Sequence, residues 1–96
     1  MRSLEEIERT IKKHKKFLKE KYQVKNIGIF GSYSRGEATP KSDVDILVEF
    51  SEPLGWEFFD LKEFLEKILD RNVDLVTEHG IREQMKAQIL REVVFI

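Results

Sequence analysis

The stretch Gly31-Ser32-Tyr33-Ser34-Arg35-Gly36-Glu37-Ala38-Thr39-Pro40-Lys41-Ser42-Asp43-Val44-Asp45 begins where one apolar run ends and finishes where the next begins. Before it, Asn26 to Phe30 is rich in β-branched and aromatic residues. After it, Val44 to Phe50 alternates, with Val44, Ile46, Val48 and Phe50 on one parity and Asp43, Asp45, Leu47 and Glu49 on the other. Both runs read as strands, so the stretch is a strand, turn, strand unit. Side chains in a strand repeat every second residue, which points Asp43 and Asp45 the same way, about 6.6 Å apart at Cα.

Two carboxylates so placed repel each other unless a cation lies between them. Their oxygen donors and spacing suit a hard divalent ion such as Mg²⁺, which keeps its other positions for water and phosphate. Gly31 and Ser32 supply a complementary feature. A glycine directly after a strand lets the backbone approach an anion closely, and the serine adds a hydroxyl and amide donors. The residues alone therefore point to metal and phosphate chemistry, against the plain alternative of a polar hairpin loop with an acidic strand end.

Gly-Ser, ten residues, then Asp-x-Asp resembles the signature of the nucleotidyltransferase superfamily that includes DNA polymerase β, with no gap or substitution. Ile29-Phe30-Gly31-Ser32, Arg35-Gly36-Glu37-Ala38, Ser42 to Val48, Phe59-Asp60-Leu61, Val73-Asp74-Leu75-Val76 and Ile89-Leu90-Arg91-Glu92 resemble its minimal nucleotidyltransferase (MNT) subfamily in particular, so the likeness covers nearly the whole chain. The resemblance implies an α/β polymerase β-like fold, a small mixed sheet with helices packed against it. It implies Asp43, Asp45 and Asp74 as catalytic, metal-binding carboxylates holding two Mg²⁺ ions, and Gly31 and Ser32 as triphosphate contacts. Arg35 is a further candidate for phosphate, since a guanidinium suits its oxygens, and a surface ion pair is its competing use.

Working outward, Ser3 and Glu6 form a capping box, and Leu4, Ile7, Ile11, Leu18 and Tyr22 recur at helical spacing, predicting a helix from residue 4 to about 22. His14 lies on its apolar stripe as a partly buried side chain. A Pro and Gly loop, residues 51–55, leads to a second helix in which Trp56, Phe59, Phe64, Leu65, Ile68 and Leu69 face the sheet. Core packing is the expected use of most of these aromatics, with base stacking the alternative, for which Trp56, near the loop, is the candidate. Asp70-Arg71-Asn72 ends that helix, because Asp and Asn tolerate a left-handed exit. Val73 to Val76 is a third strand, and one register beside the second brings Asp74 onto the face of Asp43 and Asp45. His79 reads as a turn residue close in sequence to Asp74. Ile81, Met85, Ile89 and Leu90 mark a last helix, and Val93 to Ile96 a short edge strand.

Ninety-six residues predict one domain, 1–96, too small to add a separate substrate-binding domain. The absence of cysteine excludes disulfides, thiolate metal sites and cysteine nucleophiles. No stretch reads as a signal peptide or membrane span, so a cytoplasmic protein with no membrane partner is expected. The net charge of −1 conceals an asymmetry, +5 over residues 1–25 and −6 over the rest. The basic segment reads either as a solvated helix face or as a steering surface for an acidic partner, and direct nucleic-acid binding is not expected. Oligomeric state stays open.

The MNT resemblance further implies an antitoxin that transfers AMP from ATP to a tyrosine of a cognate HEPN ribonuclease toxin. Three alternatives stand beside it: a non-enzymatic antitoxin that only covers its toxin, a small-molecule nucleotidyltransferase, and an enzyme acting on RNA. Arg9 and His14 repeat the Arg-x4-His spacing of HEPN ribonucleases themselves, but those are all-helical and this chain has strands.

Overall fold

The computed structural model describes residues 3–96. Its elements run α1 (Leu4–Lys13), α2 (Lys15–Tyr22), β1 (Val24–Phe30), β2 (Val44–Phe50), α3 (Glu57–Leu69), β3 (Val73–Thr77), a 3-10 turn at Glu78–Gly80, α4 (Glu83–Glu92) and β4 (Val94–Phe95). The four strands form one mixed sheet in the order β3-β2-β1-β4. β1 is antiparallel to both β2 and β4, while β3 lies parallel to β2 after the α3 crossover.

The alternation in the strands decides how the two faces are covered. Ile27, Ile29, Val44, Ile46, Val48, Val73 and Leu75 turn to one face and form the main core with Ile7, Ile11, Leu18, Tyr22, Leu61, Leu65 and Leu69 of α1, α2 and α3. Phe30 and Leu47 turn to the other face and pack with Ile89 of α4. The second cover is much smaller and leaves the ends of β1, β2 and β3 accessible beside α4. Because Leu65 has no solvent exposure in the centre of the main core, Leu65→Ala should cost about 3 kcal/mol of unfolding free energy, read from denaturant melts.

The first helix is two helices, which corrects the single span expected over residues 4–22. Its break has a local cause. In an unbroken helix the Thr10 carbonyl would accept from the His14 amide, but His14 Nδ1–H donates to it instead at 2.8 Å. The His14 amide moves to the Ile11 carbonyl, a tighter turn, and the chain bends there. The ring then packs edge-on against Phe64, 5.5 Å between centroids, which is a structural role.

Two further differences concern apolar residues. Trp56 and Phe59, expected to face the sheet, are 84% and 59% exposed. The buried stripe of α3 is Leu61, Leu65 and Leu69, spaced by four, and Trp56 and Phe59 fall off it on the solvent side. β1 also starts at Val24, two residues earlier than expected, because a bulge between Val24 and Asn26 restores inward parity for Val24. By contrast, Asp70 leaves α3 in the left-handed conformation, φ 53°, as its residue type predicted.

Candidate functional site

The pairing register builds the site. Phe30 of β1 stands opposite Asp45 of β2, and Asp45 stands beside Asp74 of β3, so one row crosses three strands at the end where β1 gives way to Gly31. Asp45 shares strand parity with Leu47, and Asp74 with Val76, which places both acids on the α4 face. Asp43 lies just ahead of β2 and is exposed, Asp45 is partly buried and Asp74 is exposed.

Electrostatics marks Asp45 as the centre of the group. Its carboxyl is pushed up to about 6, first by burial, then by the charges of Asp74 and Asp43 and by a hydrogen bond shared with Asp74, with Arg35 opposing. A raised carboxylate among like charges is the condition expected where a cation belongs. Among the described residues no three acid, histidine or cysteine side chains close round a common point at ion-binding distance. The three aspartates thus interact without forming a finished cage. Their donor chemistry, carboxylate oxygens only, with one carboxyl raised by burial and by the charges of its neighbours, fits Mg²⁺.

Gly31 is where backbone meets this row. Its φ is +74°, and a Cβ built on it would run into the Asp45 carboxylate. Glycine is required twice over, for the conformation and for the close approach. Residues 31–36 then wind into a compact turn, with the Arg35 amide donating to the Gly31 carbonyl at 3.1 Å and the Glu37 amide to Ser32 at 2.8 Å. Ser34 Oγ donates to the Gly31 carbonyl at 2.9 Å, which steadies the turn.

A strand, a glycine turn and an acidic row in this order can be set against known proteins. Residues 11–96 match the nucleotidyltransferase domain family. The chain belongs to that family. It is 48% identical over 97 residues to the protein adenylyltransferase MntA of Thermococcus cleftensis, a match that covers 100% of this chain and 98% of that protein. A crystal structure of a toxin-antitoxin with AMP-PNP is similar with a TM-score of 0.73 and 29% identity, over 88% of this chain and 69% of the other. A structure of tri-AMPylated Shewanella oneidensis HEPN toxin in complex with MNT antitoxin gives a TM-score of 0.66 and 25% identity, over 93% and 70%. The fold is accordingly the small mixed-sheet nucleotidyltransferase fold.

Within this nucleotidyltransferase, Arg35 is engaged by carboxylates. Its Nε donates to Glu37 at 3.1 Å and its Nη1 to Glu92 at 3.0 and 3.1 Å, while the side chain stays 40% exposed. Glu92 also accepts from the Gly31 amide at 3.3 Å and from Gln88 Nε2 at 3.1 Å. Gln88, Arg35 and Gly31 together hold its carboxyl below the ordinary range against some desolvation, while hydrogen bonds first to Glu37 and then to Glu92 raise Arg35. In the sequence Glu92 stands out only as the last residue of the Ile89-Leu90-Arg91-Glu92 ending. The signal available was its position, an acid in the last turn of a helix, where the dipole disfavours negative charge and a compensating partner is needed.

Trp56 and His79 stand apart from the acidic row. His79 lines a cavity of about 420 Å³ with Phe50, Leu54 and Phe58, at the end of β2 opposite to Asp43. Trp56 lies beside Phe59 at the start of α3, 6.4 Å between centroids with the rings tilted by 44°. No described helix is long and apolar enough to cross a membrane.

Proposed function

We propose that this nucleotidyltransferase transfers AMP from ATP to a tyrosine hydroxyl of a HEPN-domain toxin in the cytoplasm, and so acts as that toxin's antitoxin. The observation that carries the reading is the alignment of Asp45 with Asp74 across parallel strands, beside a glycine turn whose backbone crowds the same carboxylate. Its protein target is inferred from the similar adenylyltransferase MntA and from the similar MNT antitoxin found with an AMPylated toxin. One domain spanning 1–96 supplies the catalytic half of the site in this reading, and the toxin supplies the wall that carries the acceptor.

The acceptor oxygen attacks the α-phosphorus, the bond from that phosphorus to the bridging oxygen of the β-phosphate breaks, and pyrophosphate leaves as the hydroxyl proton is released. Asp43, Asp45 and Asp74 would hold two Mg²⁺ ions, which when bound lower the pKa of the attacking hydroxyl and offset the charge of the departing pyrophosphate. Asp74, exposed at the sheet edge, orients the incoming hydroxyl. Gly31, Ser32 and Arg35 hold the triphosphate so that its α-phosphorus lies over the acidic row. AMP added near a ribonuclease site places a bulky anion where RNA phosphate must bind, and repulsion with steric block silences the toxin.

Co-expression with a cognate HEPN-domain protein, followed by intact-mass spectrometry of that protein, is the test. One or more AMP additions on tyrosine are expected, dependent on ATP, Mg²⁺ and intact Asp43 and Asp45. Neutralisation with no mass gain would establish a covering antitoxin instead. AMP recovered on a small molecule or an RNA end would move the activity to another acceptor class.

A further inference from the structure

Three donors converge on the Glu92 carboxylate: the amide of Gly31, the Arg35 guanidinium and the Gln88 side chain. Two of them, Gly31 and Arg35, are the groups assigned above to phosphate. A carboxylate that gathers a turn amide and an arginine makes the contacts a phosphate oxygen would make. It arrives from a distant element, 61 residues along the chain from Gly31. Its place is set by the close seating of Val93 and β4 on Gly28, where an added Cβ would lie 2.6 Å from Val93 Cγ2. That seating brings the end of α4 down beside the glycine turn.

We propose that Glu92 is an internal occupant of the triphosphate subsite, holding Gly31 and Arg35 until a nucleotide phosphate takes them over. The proposal rests on the nucleotidyl-transfer reading and adds to it a residue that sets nucleotide affinity. The exchange requires no unfolding. The Glu92 side chain is 16% exposed, at the rim, and its flexible bonds allow it to swing toward solvent. Arg35 is 40% exposed and can receive a second anion before it releases the first. A carboxylate at the C-terminal end of α4 gains nothing from the helix dipole, so within the helix only the Gln88 hydrogen bond opposes its departure. In the free protein the same carboxylate keeps an exposed arginine and a bare turn amide paired.

Isothermal titration of ATP in the presence of Mg²⁺ tests this directly, with thermal melting as the control for folding. Glu92→Gln keeps the shape and removes the competing charge, and should tighten ATP binding about tenfold. In an Arg35→Ala background the same change should gain less than about twofold, because its main contested donor is gone. Glu83→Gln, an exposed acid at the other end of α4, removes equal charge and should leave affinity unchanged. If Glu92→Gln binds ATP as weakly as wild type or more weakly, with melting unaltered, Glu92 is a strut for the turn and the proposal is overturned. Should that variant melt much lower, Glu92→Asp, which keeps charge but loses reach, decides in the same way, with tighter ATP binding expected. Wild type that binds no ATP at all would overturn the nucleotidyl-transfer reading and this inference together, an outcome distinct from wild-type binding that Glu92→Gln fails to improve.

Discussion

Asp45→Asn should abolish AMP transfer, by at least about a thousandfold, while making the metal-free fold more stable at neutral pH. The two effects have one cause. Asp45 is partly buried between Asp43 and Asp74, and its carboxyl titrates near 6 in the fold against a reference of 3.8. A raised carboxyl contributes stability that is fully present below its unfolded pKa and is lost as pH rises through the folded one. The wild-type protein in a chelator should therefore lose stability between about pH 4 and 6, and the Asn variant should lose less over the same window. Melting curves in EDTA at pH 4, 5 and 7 check this: the two proteins should nearly coincide at pH 4, and the variant should melt higher at pH 7. Full transfer activity in the variant would remove Asp45 from the mechanism, whatever the melts show.

Gly31→Val should be the most damaging single change in the glycine turn. A β-branched residue at φ +74° is strained on its own account, and its Cβ is driven into the Asp45 carboxylate, so the turn and the acidic row are displaced together. A loss of about 3 kcal/mol in stability is expected, with nucleotide binding too weak to measure. Ser32→Ala removes one hydroxyl and leaves the backbone donors, and about a tenfold weaker affinity with unchanged melting is the expected result. Titrating ATP into both variants decides the order, and equal affinities would contradict it.

The sheet and the acidic row were legible because each depends on short-range patterns. Alternation from Val44 to Phe50 fixed which parity met the core, and with it the face carrying Asp45. The parallel register of Asp74 could be named only as one possibility, since it depends on how α3 crosses the sheet. Glu92 was hidden for a related reason: no local pattern states what lies 61 residues away at the end of another helix. The break at His14 escaped because helical periodicity continues through it, and only the competition between a ring nitrogen and an amide for the Thr10 carbonyl reveals it. Trp56 and Phe59 misled in the opposite direction, since hydrophobicity alone does not say on which side of a helix a residue falls.

The β2-α3-β3 crossover also sets how far apart in the chain the three acids lie. β1 and β2 are joined by residues 31–43, which bring the glycine turn, Asp43 and Asp45 together, whereas Asp74 reaches them across the longer connection of residues 51–72 that contains α3, a closure of greater sequence separation. Without β3 in place, the hairpin would present two acids and the glycine turn but not the third carboxylate. In the proposed mechanism the third carboxylate depends on the docking of β3, so a copy truncated before Val73 would lack Asp74 and should transfer no AMP.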